Sequence, residues 1–338
     1  MLKLFHSNAP SWPRRAARIA IRLLALIVAI GVGAPIGLRI AAHTCERLAD
    51  GERLPSGGRL IASGDVKLFM QESGPADGMP IVFIPGTGAW SETWRTTLDA
   101  LAAKGYHGIA LDLPPFGYSQ RPADHDYSTP RQAQRILGLL DALGIHEAVL
   151  VGHSFGSRAT MQLALSAPQR VRAVALVDAA LAVDTAPHAD ARSPWLLRWS
   201  PLRDTLIAST ATNPLLTHFF LEQFTTRHEV LTPARVGLYS QPFARQGTTE
   251  AFGRWAMQFG EPTSGLLSAD PAAYRKADIP ALLIWGERDT VTPLAQGRHL
   301  ATLLPRADLQ ILPDAGHIPQ IETPAAFNAT LLAFLGKL

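Results

Sequence analysis

The 338-residue sequence predicts an α/β fold built on a mostly parallel sheet. Short apolar runs, many of them rich in β-branched residues, alternate with longer stretches in which apolar residues recur every three or four positions. Four of the runs are almost continuously apolar, which is typical of strands that are buried on both faces of a parallel sheet. Strand–helix alternation of this kind implies right-handed crossovers between neighbouring parallel strands.

Seven segments are predicted to form strands, and the stretch 130–143 between them has the spacing of an amphipathic helix. The predicted strands are KLFM (67–70), IVFI (81–84), GIALDL (108–113), AVLVG (148–152), AVALVD (173–178), ALLIW (281–285) and LQILP (309–313).

The alternation of strands and helices is interrupted between residues 180 and 277. This interval shows helical segments rich in Trp, Phe and Leu, broken by prolines, and it is too long for an ordinary loop. We therefore expect a helical cap over the carboxyl edge of the sheet, with core parts at 58–179 and 278–338. Five aromatic residues of the cap either line an acyl pocket or form the cap's own core: Trp195, Trp199, Phe219, Phe220 and Trp255.

The positive net charge of +3 comes from the N-terminal segment. Residues 1–42 contain six cationic side chains and no acidic one, so subtracting +6 leaves −3 for the rest of the chain. A basic body that binds nucleic acid is therefore not expected. Cys45 is the only cysteine, so no intramolecular disulfide can form.

The segment 1–45 is predicted to be a basic arm with a membrane anchor. Its uncharged stretch at 23–38 approaches the ~20 residues needed to cross a bilayer. The excess of cations before this stretch predicts a cytoplasmic N-terminus and an exported, periplasmic or extracellular body. A signal peptide cleaved after Ala42, which would give a secreted protein, and a buried or surface helix remain alternatives.

A Gly-x-Ser-x-Gly pattern at 152–156 follows the predicted strand 148–152 directly and precedes a helical stretch. This strand–turn–helix context is that of a nucleophile elbow, in which glycines allow close backbone approach around an exposed serine. Ser154 is therefore the candidate nucleophile.

A serine nucleophile needs a base, and the base needs an orienting acid. Asp289 follows the strand 281–285, and His317 lies on a glycine-containing loop after the strand 309–313. The order Ser154, Asp289, His317 is the chain order of hydrolases with this elbow. Asp178, which ends the run 173–178, is a rival for the acid.

The motifs GHSFG, WGERDTVTP and AGHIPQIETP together resemble the α/β-hydrolase superfamily, in particular its cap-bearing branch of esterases and C–C-bond hydrolases. The resemblance runs from about residue 58 to the C-terminus. It implies an α/β-hydrolase fold with Ser154 as nucleophile, His317 as general base and acid, and Asp289 as orienting carboxylate. Epoxide hydrolases and dehalogenases of this branch carry aspartate at the elbow, so Ser154 argues against both.

The backbone N–H groups of Phe155 and Thr87 are the expected donors of an oxyanion hole. No residue cluster has the spacing of a metal site and no phosphate-binding loop is found, so we expect no cofactor and no metal. The leading hypothesis is cleavage of a carboxylic ester of a small hydrophobic acyl substrate, with no obligate protein partner. C–C hydrolysis or acyl transfer on the same triad, and a non-catalytic membrane-anchored binding protein, are the alternatives.

Overall fold

An eight-stranded sheet forms the centre of the protein, which we describe from a computed structural model covering residues 12–49, 51–183 and 195–338. Its strands are β1 (Gly58–Ser63), β2 (Val66–Ser73), β3 (Pro80–Ile84), β4 (His107–Leu111), β5 (Ala148–His153), β6 (Val171–Val177), β7 (Ala281–Gly286) and β8 (Ala307–Leu312). Their spatial order is β1-β2-β4-β3-β5-β6-β7-β8. The pairs β1–β2 and β2–β4 are antiparallel, and every other pair is parallel.

All seven strands expected from the sequence are present, and β1 is the one that was missed. β1 lies at the edge of the sheet, pairs with β2 alone and is only partly buried, so it lacks a continuous apolar run. Gly64, at φ +58°, begins the turn that joins these two strands.

Helices cover both faces of the sheet, and further helices form the N-terminal segment and the interval between β6 and β7. They are α1 (Trp12–Cys45), α2 (Arg95–Ala102), α3 (Thr129–Ala142), α4 (Gly156–Ser166), α5 (Ser200–Ala208), α6 (Thr217–Glu222), α7 (Pro233–Ser240), α8 (Thr248–Phe259), α9 (Pro271–Lys276), α10 (Leu294–Leu303), α11 (Pro319–Glu322) and α12 (Pro324–Leu335). Along β5, Leu150 packs into the core that α3, α4 and α10 complete, whereas Val149 and Val151 pack towards α2 and α12. The continuous apolar run of β5 therefore reflects burial of this strand on both faces of the sheet.

Helices α5 to α9 fill the interval between β6 and β7, where the sequence predicts a cap. The strands on either side of this insertion are neighbours in the sheet, so the chain leaves the core after β6 and returns beside it. Residues 184–194 of the interval lie outside the described residues.

The long helix α1 contacts the insertion through its C-terminal end. Arg39 donates a hydrogen bond to the carbonyl of Pro201 at 2.8 Å, and Asn213 donates to the carbonyl of Leu38 at 2.9 Å. The membrane anchor expected at 23–38 falls within α1, but the side chains of residues 25–30 lie outside the described ones. Across the described residues, no helix is long and apolar enough to span a bilayer.

Candidate active site

The turn after β5 places Ser154 at the carboxyl edge of the sheet. Ser154 has a φ of +48°, a left-handed conformation that costs a non-glycine residue about 1–3 kcal/mol. Glycines flank it because there is no room for side chains. A Cβ at position 152 would lie 2.5 Å from Oγ1 of Thr160, and one at position 156 would lie 2.6 Å from the carbonyl oxygen of Pro85.

The structure brings the three predicted side chains together. Nε2 of His317 lies 2.9 Å from Oγ of Ser154, and Nδ1 of His317 lies 2.8 Å from Oδ2 of Asp289. All three residues are buried. Since an ionised carboxylate can only accept, Nδ1 carries the imidazole proton and Nε2 is free to accept the serine hydroxyl proton.

The loop after β7 keeps Asp289 ionised and fixed in orientation. Oδ1 accepts hydrogen bonds from the backbone N–H groups of Val291 at 2.7 Å and Thr292 at 3.0 Å. Oδ2 accepts from Oγ1 of Thr292 at 2.6 Å as well as from His317. Burial alone would raise the pKa of Asp289, but the hydrogen bonds and charge of His317 and the bonds from its neighbours lower it below its ordinary value.

The two expected oxyanion donors lie beside the nucleophile. Phe155 precedes the first residue of α4, where helix amides and the helix dipole favour an anion. Thr87 lies in the loop after β3 and lines the same cavity as Ser154. In the described part of the chain, neither amide donates a hydrogen bond to a protein acceptor. Both N–H groups are therefore available to a ligand.

Gly86 is required by the close approach of its loop to the elbow. A Cβ at this position would lie 2.7 Å from Nδ1 of His153 and 3.1 Å from Cβ of Ser154. We expect Gly86→Ala to lower kcat about 100-fold, because displacement by a fraction of an ångström misaligns the donor and the nucleophile. Steady-state kinetics would measure the loss.

The matched control for this substitution is Gly237→Ala within α7, where an added Cβ meets no atom within 4 Å. This variant should keep kcat, and the free energy of unfolding should stay equal or rise by about 0.5–1 kcal/mol. Wild-type kcat in Gly86→Ala would contradict the steric argument.

A cavity that is partly open to solvent is lined by Ser154 and His317. The helical insertion contributes Phe220, Leu221, Phe224, Tyr239 and Phe243 to its wall, and the His317 loop contributes Ile318 and Ile321. Among the described residues that line this cavity, none is a Lys, Arg, Asp or Glu. The site is therefore a mostly apolar pocket that contains the side chains of Ser154 and His317.

The five aromatic residues singled out in the insertion divide into three groups. Phe220 lines the cavity. Trp255 is buried away from it and packs against Phe116, Phe155, Phe252 and Phe259. The other three are largely exposed: Trp195, Trp199 and Phe219.

His153, next to the nucleophile, supports the loop that carries His317. Its Nε2 lies 2.8 Å from the carbonyl oxygen of His317, so Nε2 must carry the proton. Burial, with a smaller effect from the neighbouring His317, lowers the pKa of His153 from 6.5 to about 3. The ring is therefore neutral and structural at ordinary pH.

This burial predicts a pH dependence of stability. Between about pH 6.5 and 3 the unfolded state takes up a proton at His153 that the folded state refuses, so stability is lost as the pH falls, by at most about 1.4 kcal/mol per unit. His153→Gln keeps a donor for the carbonyl but cannot titrate. We expect urea unfolding at several pH values to give a shallower slope for this variant than for wild type. Equal slopes would contradict the prediction.

Glu322 was missed from the sequence, although it joins the insertion to the catalytic loop. Its Oε2 accepts from the backbone N–H groups of Thr226 at 3.0 Å and Arg227 at 3.1 Å, and its Oε1 accepts from the N–H of Ile318 at 3.2 Å. Its partners at 226 and 227 lie nearly a hundred residues upstream, so its place five residues after His317 is the one signal that the sequence offers.

Three side chains lie close enough to share a metal ion, a proximity hidden by their separation in sequence. Polar atoms of Asp178, Asp289 and His317 fall within 4.8 Å of one another, in a search limited to the described residues. In this structure His317 is bonded to Asp289, whereas Asp178 accepts from the N–H of Gly286. The histidine partner is thus Asp289 and not the rival Asp178.

Comparison with known proteins agrees with this fold. Residues 79–324 match the family model described as the alpha/beta hydrolase fold. The chain therefore belongs to the α/β-hydrolase family, and it is a hydrolase.

The chain is similar to proteins with different activities. A 2-hydroxymuconate semialdehyde hydrolase of Pseudomonas sp. (strain CF600) is 32% identical, over 84% of this chain and 95% of that protein. Lipase 3 of Moraxella sp. (strain TA144) is 26% identical, over 84% and 86%. The meta-cleavage product hydrolase of Pseudomonas fluorescens IP01 superposes with a TM-score of 0.67 at 25% identity, over 83% of this chain and 98% of that one.

Proposed function

We propose that the protein hydrolyses carboxylic esters of uncharged, hydrophobic acyl groups through an acyl-enzyme on Ser154. The observation that carries the proposal is the cavity over Ser154, whose described lining offers a mostly apolar surface and contains no Lys or Arg. An acyl chain gains free energy by leaving water there, whereas a carboxylate would lose water without meeting a Lys or Arg partner.

The geometry supports a two-step reaction. Oγ of Ser154 attacks the carbonyl carbon while its proton passes to Nε2 of His317, 2.9 Å away. The N–H groups of Thr87 and Phe155 hold the developing oxyanion. His317 then gives the proton to the leaving alkoxide, and a water that His317 deprotonates releases the acid from Ser154.

A second candidate is hydrolysis of a C–C bond on the same triad. It is favoured by the relative at 32% identity, whose name specifies a semialdehyde of 2-hydroxymuconate, which is a carboxylate. A substrate of this kind would bring a negative charge into the cavity. The two candidates therefore differ in the charge that the pocket must accept.

A matched pair of substrates separates them. The 4-nitrophenyl ester of hexanoic acid and the 4-nitrophenyl monoester of hexanedioic acid have the same chain length but differ in a terminal carboxylate. We expect kcat/KM for the charged ester to be at least about 100-fold lower. Faster turnover of 2-hydroxymuconate semialdehyde than of the neutral ester would refute the ester proposal.

A further inference from the structure

A second carboxyl group, that of Asp178, is buried behind the triad. Asp178 follows β6 with a φ of +42° and has no exposed surface. Its backbone N–H donates to the carbonyl of Ile284 at 3.0 Å. Its carbonyl oxygen lies 3.1 Å from Oγ1 of Thr292, whose proton is donated to Asp289. The residue is thus held between β6 and the loop that presents Asp289.

The two carboxyl oxygens of Asp178 have different surroundings. Oδ1 accepts a hydrogen bond from the N–H of Gly286 at 2.8 Å. Oδ2 is buried and meets no donor within the described part of the chain. An oxygen of its side chain lies within 4.8 Å of an oxygen of Asp289, which is itself a carboxylate. Two carboxylates this close in the interior cannot both stay ionised, so one of them carries a proton.

The hydrogen-bond donors decide where that proton resides. Asp289 accepts from two backbone N–H groups, one hydroxyl and the ring of His317. Among the residues that the structure describes, the side chain of Asp178 accepts from Gly286 alone. More donors stabilise the ionised form. Burial, and then the charge of Asp289, raise the pKa of Asp178 well above its usual range, in agreement with this assignment.

We propose that Asp178 is a positioning residue, a neutral carboxylic acid whose Oδ2–H donates a hydrogen bond to the ionised Asp289. This bond satisfies the one unpartnered oxygen of Asp178 and adds a donor that holds Asp289 towards Nδ1 of His317. It also leaves a single negative charge behind the imidazole. The role in catalysis rests on the proposed function, but the protonation state does not.

The other titratable groups around the pair are few. Asp178 faces Asp289 and His317, and Glu322 lies near enough to disfavour a charge on it. His153, on the far side of His317, is neutral at ordinary pH.

Infrared difference spectroscopy tests the protonation state without any substrate. At about pH 8 an ordinary carboxyl group is ionised, so a carboxylic-acid C=O band that is present in wild type and absent in Asp178→Asn would identify the proton on Asp178. Asp112→Asn is the matched control: Asp112 is equally buried and accepts two backbone N–H bonds, but its pKa of about 6 leaves it ionised at that pH. A wild-type spectrum without the band would overturn the proposal.

The pH profile of ester hydrolysis tests the positioning role. In Asp178→Asn the amide oxygen can still accept from Gly286 and the amide nitrogen can donate to Asp289. We expect kcat within about 3-fold of wild type and an unmoved acid limb of kcat/KM, whereas Asp178→Ala should lose about 10-fold or more in kcat.

A fall of about one unit or more in the apparent pKa of the acid limb of Asp178→Asn would show that wild-type Asp178 is charged, and would overturn the proposal. Unchanged kcat in folded Asp178→Ala would overturn the positioning role. If wild type hydrolyses no ester, the proposed function fails, and the infrared result still decides the protonation state.

Discussion

Replacement of Ser154 by alanine is expected to lower the kcat of ester hydrolysis about 10⁴-fold or more, with little change in KM. The hydroxyl is the atom that His317 contacts at 2.9 Å, and without it no acyl-enzyme can form. The oxyanion donors and the pocket remain, which explains why some residual rate and normal binding should survive. Single-turnover and steady-state kinetics on a 4-nitrophenyl ester would measure both quantities.

Ser157 offers the control for this substitution. It is the second residue of α4 and is buried, and it does not line the cavity. Its hydroxyl donates to the carbonyl of Gly152 at 2.8 Å. Ser157→Ala should keep kcat within a few-fold of wild type. A fluorophosphonate probe should label wild type and Ser157→Ala but not Ser154→Ala. Undiminished labelling of Ser154→Ala would exclude this serine as the nucleophile.

Asp289→Asn is expected to lower kcat about 10⁴-fold while leaving the fold intact. Two backbone N–H groups bind Oδ1 of Asp289, so they will hold the amide oxygen of asparagine at that position. The amide nitrogen must then take the place of Oδ2 beside Nδ1 of His317. A donor there forces the imidazole proton onto Nε2, where it faces Ser154 and blocks general-base catalysis.

Asp270→Asn provides the comparison for Asp289→Asn. The carboxylate of Asp270 also accepts a backbone N–H, that of Ala272 at 2.9 Å, but it does so at the start of α9, outside the lining of the cavity. The kcat of the Asp270→Asn variant should equal that of wild type. If Asp289→Asn keeps the wild-type kcat and its circular dichroism spectrum shows an intact fold, Asp289 has no catalytic role.

The sequence was sufficient to predict the strands that are buried on both sides. Leu150 and its neighbours in β5 must be apolar whichever face they point to, and this leaves a pattern that a single sequence reveals. The partly exposed edge strand β1 leaves no such pattern. The order of Ser154, Asp289 and His317 was equally visible, because each follows a strand at the same edge of the sheet.

The wall of the pocket could not be predicted in the same way. Phe220 and Trp255 both have the spacing of a buried helix face, but spacing does not specify what that face meets. Phe220 meets the cavity and Trp255 meets an aromatic cluster under it. Glu322 was missed for a related reason, since its partners depend on how the insertion folds back onto the core.

The Glu322 contacts have a consequence for exchanging caps between relatives. A foreign insertion that lacks the N–H groups at positions 226 and 227 would leave one oxygen of a buried carboxylate without partners, which destabilises the loop beside it by several kcal/mol. Because the same carboxylate binds the amide next to His317, the graft would disturb the general base as well as substrate choice. A chimaera that keeps residues 225–227 of this chain should therefore tolerate a new pocket far better than one that replaces them.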